Sequence, residues 1–282
     1  MDIKELLLDF RITSRCSFGC DLCFRNPGIE EQSLDAIKEV IIKMASIGFR
    51  RMGFTGGEPT NRDDYLDMIA YAKNLGFLTY LSTVGHKFIG HLDKLELILD
   101  WVGLPIDGID SETNAAIRSL GMAQQHKTIE RIFVYLSQNP TRIKIKLTTV
   151  VSCANINHLP EIVAYVNKLP YTYNVWRFYQ FCPLGVGKEK RDKLEVSTEQ
   201  FISKMEELKK RHPNCNLSGA TFEERDKANV VMEPNFDIII PDGEYYSYLC
   251  NLKKDQGDVV ISSIMQREDI LKKCAANRYW VS

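Results

Sequence analysis

Arg142-Ile143-Lys144-Ile145-Lys146-Leu147-Thr148 alternates apolar and polar residues without a break. Successive side chains of a strand point to opposite faces, so Ile143, Ile145 and Leu147 share one face and Lys144, Lys146 and Thr148 the other. The apolar face suits a layer of helices. The polar face must meet water, counter-ions or a ligand, because a parallel sheet normally has both faces covered and apolar. Two other segments carry the same signature. Asp9, Arg11 and Thr13 share a face of residues 6–13, and Arg177 and Tyr179 share a face of residues 175–181. An internal ion-pair network, or a sheet edge in solvent, would account for these faces. The sharper alternative is a polar lumen for a small anionic substrate, with Lys146 and Arg177 as its main ligands and Arg11, Lys144 and Thr148 beside them.

Outward from this strand the chain alternates strand and helix. Strands are expected at 6–13, 51–55, 77–83, 101–105, 143–151 and 175–181, and helices at 34–47, 63–74, 92–99, 128–137 and 159–168. Ser33 is placed to cap the first helix and Gly48 to stop it. Six such βα units predict an α/β fold with a parallel sheet, doubly wound or curled toward a barrel, and short of the eight units that close one. A further helix is expected at 201–211. Beyond it, 229–232, 237–240 and 259–263 read as strands of a C-terminal α+β extension. The expected division is a core over 1–185 and an extension over 186–282.

The chain has 282 residues, 44% hydrophobic and 26% charged, which excludes a disordered chain, a collagen and a coiled coil. Thirty-six basic against 37 acidic residues leave a net charge of -1. That balance predicts no nucleic-acid or membrane partner. The N-terminus lacks the basic start and long apolar core of a signal peptide, so the cytoplasm, where thiols stay reduced, is the expected compartment.

Three of the eight cysteines fall within eight residues, in Cys16-Ser17-Phe18-Gly19-Cys20-Asp21-Leu22-Cys23. Clustered thiols in a reducing compartment point to metal. The loop follows the first strand, at the end where α/β folds carry their chemistry. Three thiolates can hold three irons of a cubane cluster and leave the fourth open to a non-protein ligand. Structural zinc is the alternative, and it would need a fourth protein ligand. The second element is Gly53-Phe54-Thr55-Gly56-Gly57-Glu58-Pro59, after the next strand. Its glycines would admit a ligand close to the backbone, and Glu58 would accept a hydrogen bond from an ammonium group.

This C-x3-C-x2-C loop followed by Gly-Gly-Glu-Pro resembles the radical S-adenosylmethionine (SAM) superfamily. The resemblance implies a partial (β/α)6 TIM-like barrel whose mouth the extension covers. It implies that Cys16, Cys20 and Cys23 ligate a [4Fe-4S] cluster and that SAM binds the open iron. Phe24, Gly56, Gly57, Glu58, Pro59, Ser82, Thr83 and Asp107 would contact SAM. An electron from a flavodoxin- or ferredoxin-type donor would cleave SAM to methionine and a 5′-deoxyadenosyl radical, which takes a hydrogen atom from the substrate. Two positions depart from the family pattern. Val84 stands where many members carry Asn, and Pro105 replaces the serine of Ser-Leu-Asp-Gly.

Within the superfamily, Asp110 to Arg118, Lys146 to Asn155, Val175 to Gln180 and Arg278-Tyr279-Trp280 resemble viperin-like enzymes, and the chain also resembles the GTP cyclase group of molybdenum-cofactor synthesis. Both act on nucleoside triphosphates. On this resemblance Lys146 and Arg177 would face phosphates, and the Tyr279-Trp280 tail would close over the substrate. Tyr179 and Cys182 are the candidate hydrogen-atom donors, and Glu58 completes the candidate catalytic set. The alternative is a peptide-modifying maturase without auxiliary clusters, since Cys215, Cys250 and Cys274 match no compact cluster motif.

Overall fold

Ser33 caps the first helix through its hydroxyl, which accepts the Ala36 amide, and Gly48 ends it in the left-handed conformation at φ 109°. Both features follow from local chemistry, and the same logic runs through the computed structural model of this chain. The structure describes residues 3–224, 230–242, 245–257, 259, 260 and 263. Its strands are β1 (Leu7–Thr13), β2 (Arg51–Gly56), β3 (Leu78–Ser82), β4 (Trp101–Pro105), β5 (Lys144–Val151), β6 (Val175–Gln180), β7 (Leu217–Ala220), β8 (Val230–Met232), β9 (Asp237–Asp242) and β10 (Tyr245–Asn251). Its helices are α1 (Leu34–Ile47), α2 (Tyr65–Asn74), α3 (Leu92–Ile98), α4 (Ser111–Ile117), α5 (Gln125–Gln138), α6 (Leu159–Val166), α7 (Arg191–Leu194) and α8 (Thr198–Arg211).

The ten strands among the described residues form one sheet in the order β10-β9-β8-β1-β2-β3-β4-β5-β6-β7. The pairs from β8 through β1 to β7 are parallel, while β8–β9 and β9–β10 are antiparallel. The expected partial barrel is present, and its sheet is not closed. The parallel part is wider than the six predicted units, because β7 joins β6 at one edge and β8 joins β1 at the other. The extension therefore continues the core sheet on both sides. The run at 259–263, predicted as a strand, is helical at each residue described there. Asn229, Cys274, Arg278, Tyr279 and Trp280 lie outside the described residues, and with them the tail expected over the substrate. No helix among the described residues is long and apolar enough to cross a membrane.

One face of the strands builds the main core. Leu8, Phe10, Ile12, Met52, Phe54, Leu147 and Phe178 pack with α-helical Val40, Met44, Ile69, Phe133, Ile162 and Leu208 in a single buried cluster. This is the apolar face read from 143–147, and the removal of these side chains from water is the main favourable term in folding. The opposite face lines the lumen. At the strands' N-terminal ends Tyr80, Trp101 and Val175, with Leu7 and Leu78 packed on them, close it with a separate apolar plug. Tyr80 and Trp101 stack at 6.3 Å between ring centres. The C-terminal ends stay polar, and the cysteine loop leaves from there.

Candidate active site

The pairing of β1 with β2 slips in register between Arg11 and Thr13, just before the chain enters the cysteine loop. Such an irregularity bends a strand and re-aims the residues beyond it. Gly56 and Gly57 then run against the loop's first residues. The Gly57 amide donates to the Thr13 carbonyl at 2.7 Å, and the Glu58 amide to the Arg15 carbonyl at 3.0 Å. A Cβ on Gly56 would overlap the Thr13 carbonyl oxygen, where φ is +141°, and one on Gly57 would overlap the Arg15 carbonyl. The sequence reading assigned these glycines to the approach of a ligand. The missing side chains also make room for the backbone that carries Cys16.

Cys16, Cys20 and Cys23 are free and partly exposed. The Cys23 amide closes a turn on the Cys20 carbonyl at 3.2 Å, and Gly19 supplies a positive φ of 59°. Burial pushes the Cys16 and Cys20 thiols up, and each lies close enough to Cys23 for their charges to repel. Arg25 beside Cys16 and Arg118 beside Cys20 pull the other way. The Arg118 Nη1 stands 3.9 Å from the Cys20 sulfur. Among the described residues no three ligating side chains converge on a single-ion site. Three thiols on one loop beside two cations fit an iron–sulfur cluster.

Glu58 is buried and ties β2 to β3. Its Oε1 accepts the Thr60 hydroxyl at 2.6 Å, the Thr83 hydroxyl at 2.5 Å and the Thr60 amide at 3.2 Å. Its Oε2 accepts the Val84 amide at 2.9 Å. Thr83 thus serves Glu58, while Ser82 is exposed at the end of β3 and Pro59 is buried in the turn that follows Glu58. Val84, which departs from the family pattern in its side chain, contributes through its backbone. Asp107 lies behind the cysteine loop. It was expected on SAM, yet it is fully buried, its Oδ1 accepting the Val150 amide at 2.7 Å and its Oδ2 the Arg118 guanidinium.

Deeper in the lumen Arg11, Lys146 and Arg177 are all buried. Lys146 Nζ donates to the Tyr179 hydroxyl at 3.0 Å, and the Arg177 guanidinium lies 5.9 Å from the Tyr179 ring centre. Burial lowers the Lys146 ammonium to about 8, and Arg177 adds to the drop, while Tyr179 and Asp9 oppose it. Gly53, paired across from Asp9, leaves room for that carboxylate. Arg11 pairs with Glu233 at 2.6 Å and lies 5.0 Å from the centre of the Phe24 ring. Thr148 is half-buried above Lys146, with its hydroxyl 3.4 Å from the Leu104 carbonyl. Cys182 is buried just past β6. Lys144 does not join the set. It is exposed at the N-terminal end of β5, its Nζ 5.1 Å from the centre of the Trp101 ring, below the plug. Two polar groups escaped the sequence reading. Arg118 ends α4, and Glu233 follows β8, holding the Asn26 amide at 2.8 Å with its Oε1 while its buried Oε2 finds no hydrogen-bond partner among the described residues. The carboxylate directly after the apolar run Val230-Val231-Met232 was the only signal for Glu233.

Residues 10–148 match the family model described as Radical SAM superfamily. The chain is 26% identical over 213 residues to the S-adenosylmethionine-dependent nucleotide dehydratase of Lacinutrix mariniflava, across 70% of this chain and 43% of that protein. It is 26% identical over 271 residues to a protein of the same name from Fibrobacter sp. (strain UWH6), across 87% of this chain and 78% of that protein. The match thus spans less than half the length of the Lacinutrix relative. Streptococcus suis SuiB bound to S-adenosylmethionine superposes with a TM-score of 0.70 at 15% identity, across 90% of this chain and 65% of that chain. At that identity the likeness speaks for the fold alone.

Proposed function

We propose that this chain, whose residues 10–148 match the radical SAM superfamily model, is an enzyme of that superfamily and acts on a small anionic, nucleotide-like substrate held in the lumen. The observation that carries this reading is the buried cation set Arg11, Lys146 and Arg177, three positive groups set against the carboxylates Asp9 and Glu233. Buried guanidinium and ammonium groups make strong charge-assisted hydrogen bonds to phosphate oxygens, so this set suits a phosphate-bearing substrate. The names of the Lacinutrix and Fibrobacter relatives support it.

In this reading Cys16, Cys20 and Cys23 hold a [4Fe-4S] cluster, and the turn at Gly56 to Pro59 orients SAM through its backbone and the free capacity of the Glu58 Oε2. Bound there and reduced, the cluster would supply the electron for cleavage of SAM to methionine and a 5′-deoxyadenosyl radical. Lys146 and Arg177 fix the substrate's phosphates, and Thr148 lies on the same face one step nearer the cysteine loop. The plug of Tyr80, Trp101 and Val175 seals the lumen's lower end against water. Tyr179 sits at the Lys146 ammonium, where its hydroxyl can return a hydrogen atom, and Cys182 is the second candidate. A flavodoxin- or ferredoxin-type protein supplies the electron, and the cytoplasm is the compartment. The core over 1–185 carries the cysteine loop and the lumen cations, and the extension over 186–282 adds Glu233 to them.

The test is anaerobic reconstitution with iron and sulfide, followed by SAM, dithionite and each of CTP, UTP, GTP and ATP. One nucleotide is expected to raise 5′-deoxyadenosine well above the uncoupled rate. SAM cleavage that no nucleotide alters would remove the substrate assignment and move the reading to a peptide or another small molecule.

A further inference from the structure

Asp107 is held on every side. Its carboxylate takes the Val150 amide and the Arg118 Nε, and its carbonyl takes the Asn155 side chain at 2.9 Å. Arg118 is thereby fixed at the end of α4, with one nitrogen of its fork 3.9 Å from the Cys20 sulfur. The same segment grips the cysteine loop through neutral bonds. The Arg118 carbonyl accepts the Asp21 amide at 2.7 Å, and the Ser119 hydroxyl donates to the Phe18 carbonyl. Backbone contacts therefore hold the loop, and the ion pair adds something a tether does not need, a buried charge beside one sulfur. Both members are largely shielded from water, so their fields are weakly screened. Charge and hydrogen bonds at the ligand sulfurs are what set an iron–sulfur centre's potential.

We propose that Arg118, paired with Asp107 and carried on backbone bonded to α4 and to the cysteine loop, is a positioning residue that raises the reduction potential of the cluster through the Cys20 sulfur. The proposal rests on the iron–sulfur reading of the cysteine loop. Reduction adds one electron to the cluster from an external one-electron donor, dithionite in a redox titration, and makes or breaks no bond in the protein. The guanidinium stabilises that added negative charge. The Asp107 carboxylate, behind it, opposes the added charge and partly neutralises the guanidinium. Removing the two residues singly should therefore move the potential in opposite directions, a signature that loss of packing cannot imitate.

Wild type, Arg118→Gln, Asp107→Asn, Arg118→Lys and Ser119→Ala are reconstituted anaerobically. Iron and sulfide are counted, and the cluster midpoint is read by EPR-monitored redox titration. Arg118→Gln is expected to lower the midpoint and Asp107→Asn to raise it. Arg118→Lys should stay near wild type, and so should Ser119→Ala, which loosens the loop without touching a charge. Shifts of the same sign in the first two variants, or no shift in either, overturn the proposal, as does a Ser119→Ala shift as large as that of Arg118→Gln. If one of the first two takes up no cluster, the other decides alone. If neither does, the pair serves assembly and the proposal falls. A wild-type protein that takes up no iron and sulfide overturns the cluster reading and the proposal together, whereas a wild-type cluster with unmoved variants overturns the proposal alone.

Discussion

At Lys146, burial and an anionic ligand pull in opposite directions. Desolvation lowers its ammonium from 10.5 to about 8, helped by Arg177 and resisted by Tyr179 and Asp9. In the free protein the fold disfavours the charged form, so stability rises as pH climbs from about 8 toward 10.5, where the unfolded chain still binds the proton. A bound phosphate favours the charged form instead. The affinity for a nucleoside triphosphate should hold steady below pH 8 and fall above it, with a limit of about tenfold per pH unit. Calorimetric titration at pH 7 and pH 9 measures this, and Lys146→Met should weaken binding and erase the break. An unchanged break in Lys146→Met would assign it to another group. The polar alternation of 142–148 made Lys146 legible in the sequence. It could not distinguish Lys146 from Lys144, which shares its face, because position along the lumen depends on where the plug sits.

The elements differ in how much of them local chemistry dictates. The ends of α1 were readable because Ser33 and Gly48 act on residues within four positions of themselves. Several other elements were not. Helix α4 has only seven residues, too few for an apolar period to declare itself. Strand β7, Leu217-Ser218-Gly219-Ala220, has no β-branched residue and owes its form to its pairing with β6. The run Val259-Val260-Ile261 suits strand and helix equally, and short apolar runs do not separate the two. The Gly56-Gly57 turn shows how tightly two elements can depend on one residue. Gly57→Ala would press its Cβ into the Arg15 carbonyl and toward the Cys16 side chain. The expected cost is about 1–3 kcal/mol of stability, with reduced iron uptake. Thermal denaturation and iron analysis check this, and a variant with full iron content and wild-type melting would refute it.

Across the whole molecule, the sheet separates a dry floor from a charged, chemically active rim. Trp101 fills the floor against Tyr80 and Val175. Trp101→Ala should cost about 3–5 kcal/mol in thermal or denaturant unfolding and leave iron uptake at the far end intact. A loss of iron uptake equal to the loss of stability would mean that the two ends are not independent. The spaced cysteines, the Gly-Gly-Glu-Pro turn, the alternating βα units and the polar lumen face all lay in the order of residues, because each is a pattern over a few neighbours along the chain. Four things did not. The burial of Asp107 behind Arg118, the pairing of Arg11 with Glu233 some 222 residues away, the addition of β7 and β8 to opposite edges, and the exile of Lys144 to the outside all depend on contacts between distant segments. Side-chain chemistry specifies what a residue can do, but only the packed chain brings its partner within hydrogen-bond reach and removes the water between them.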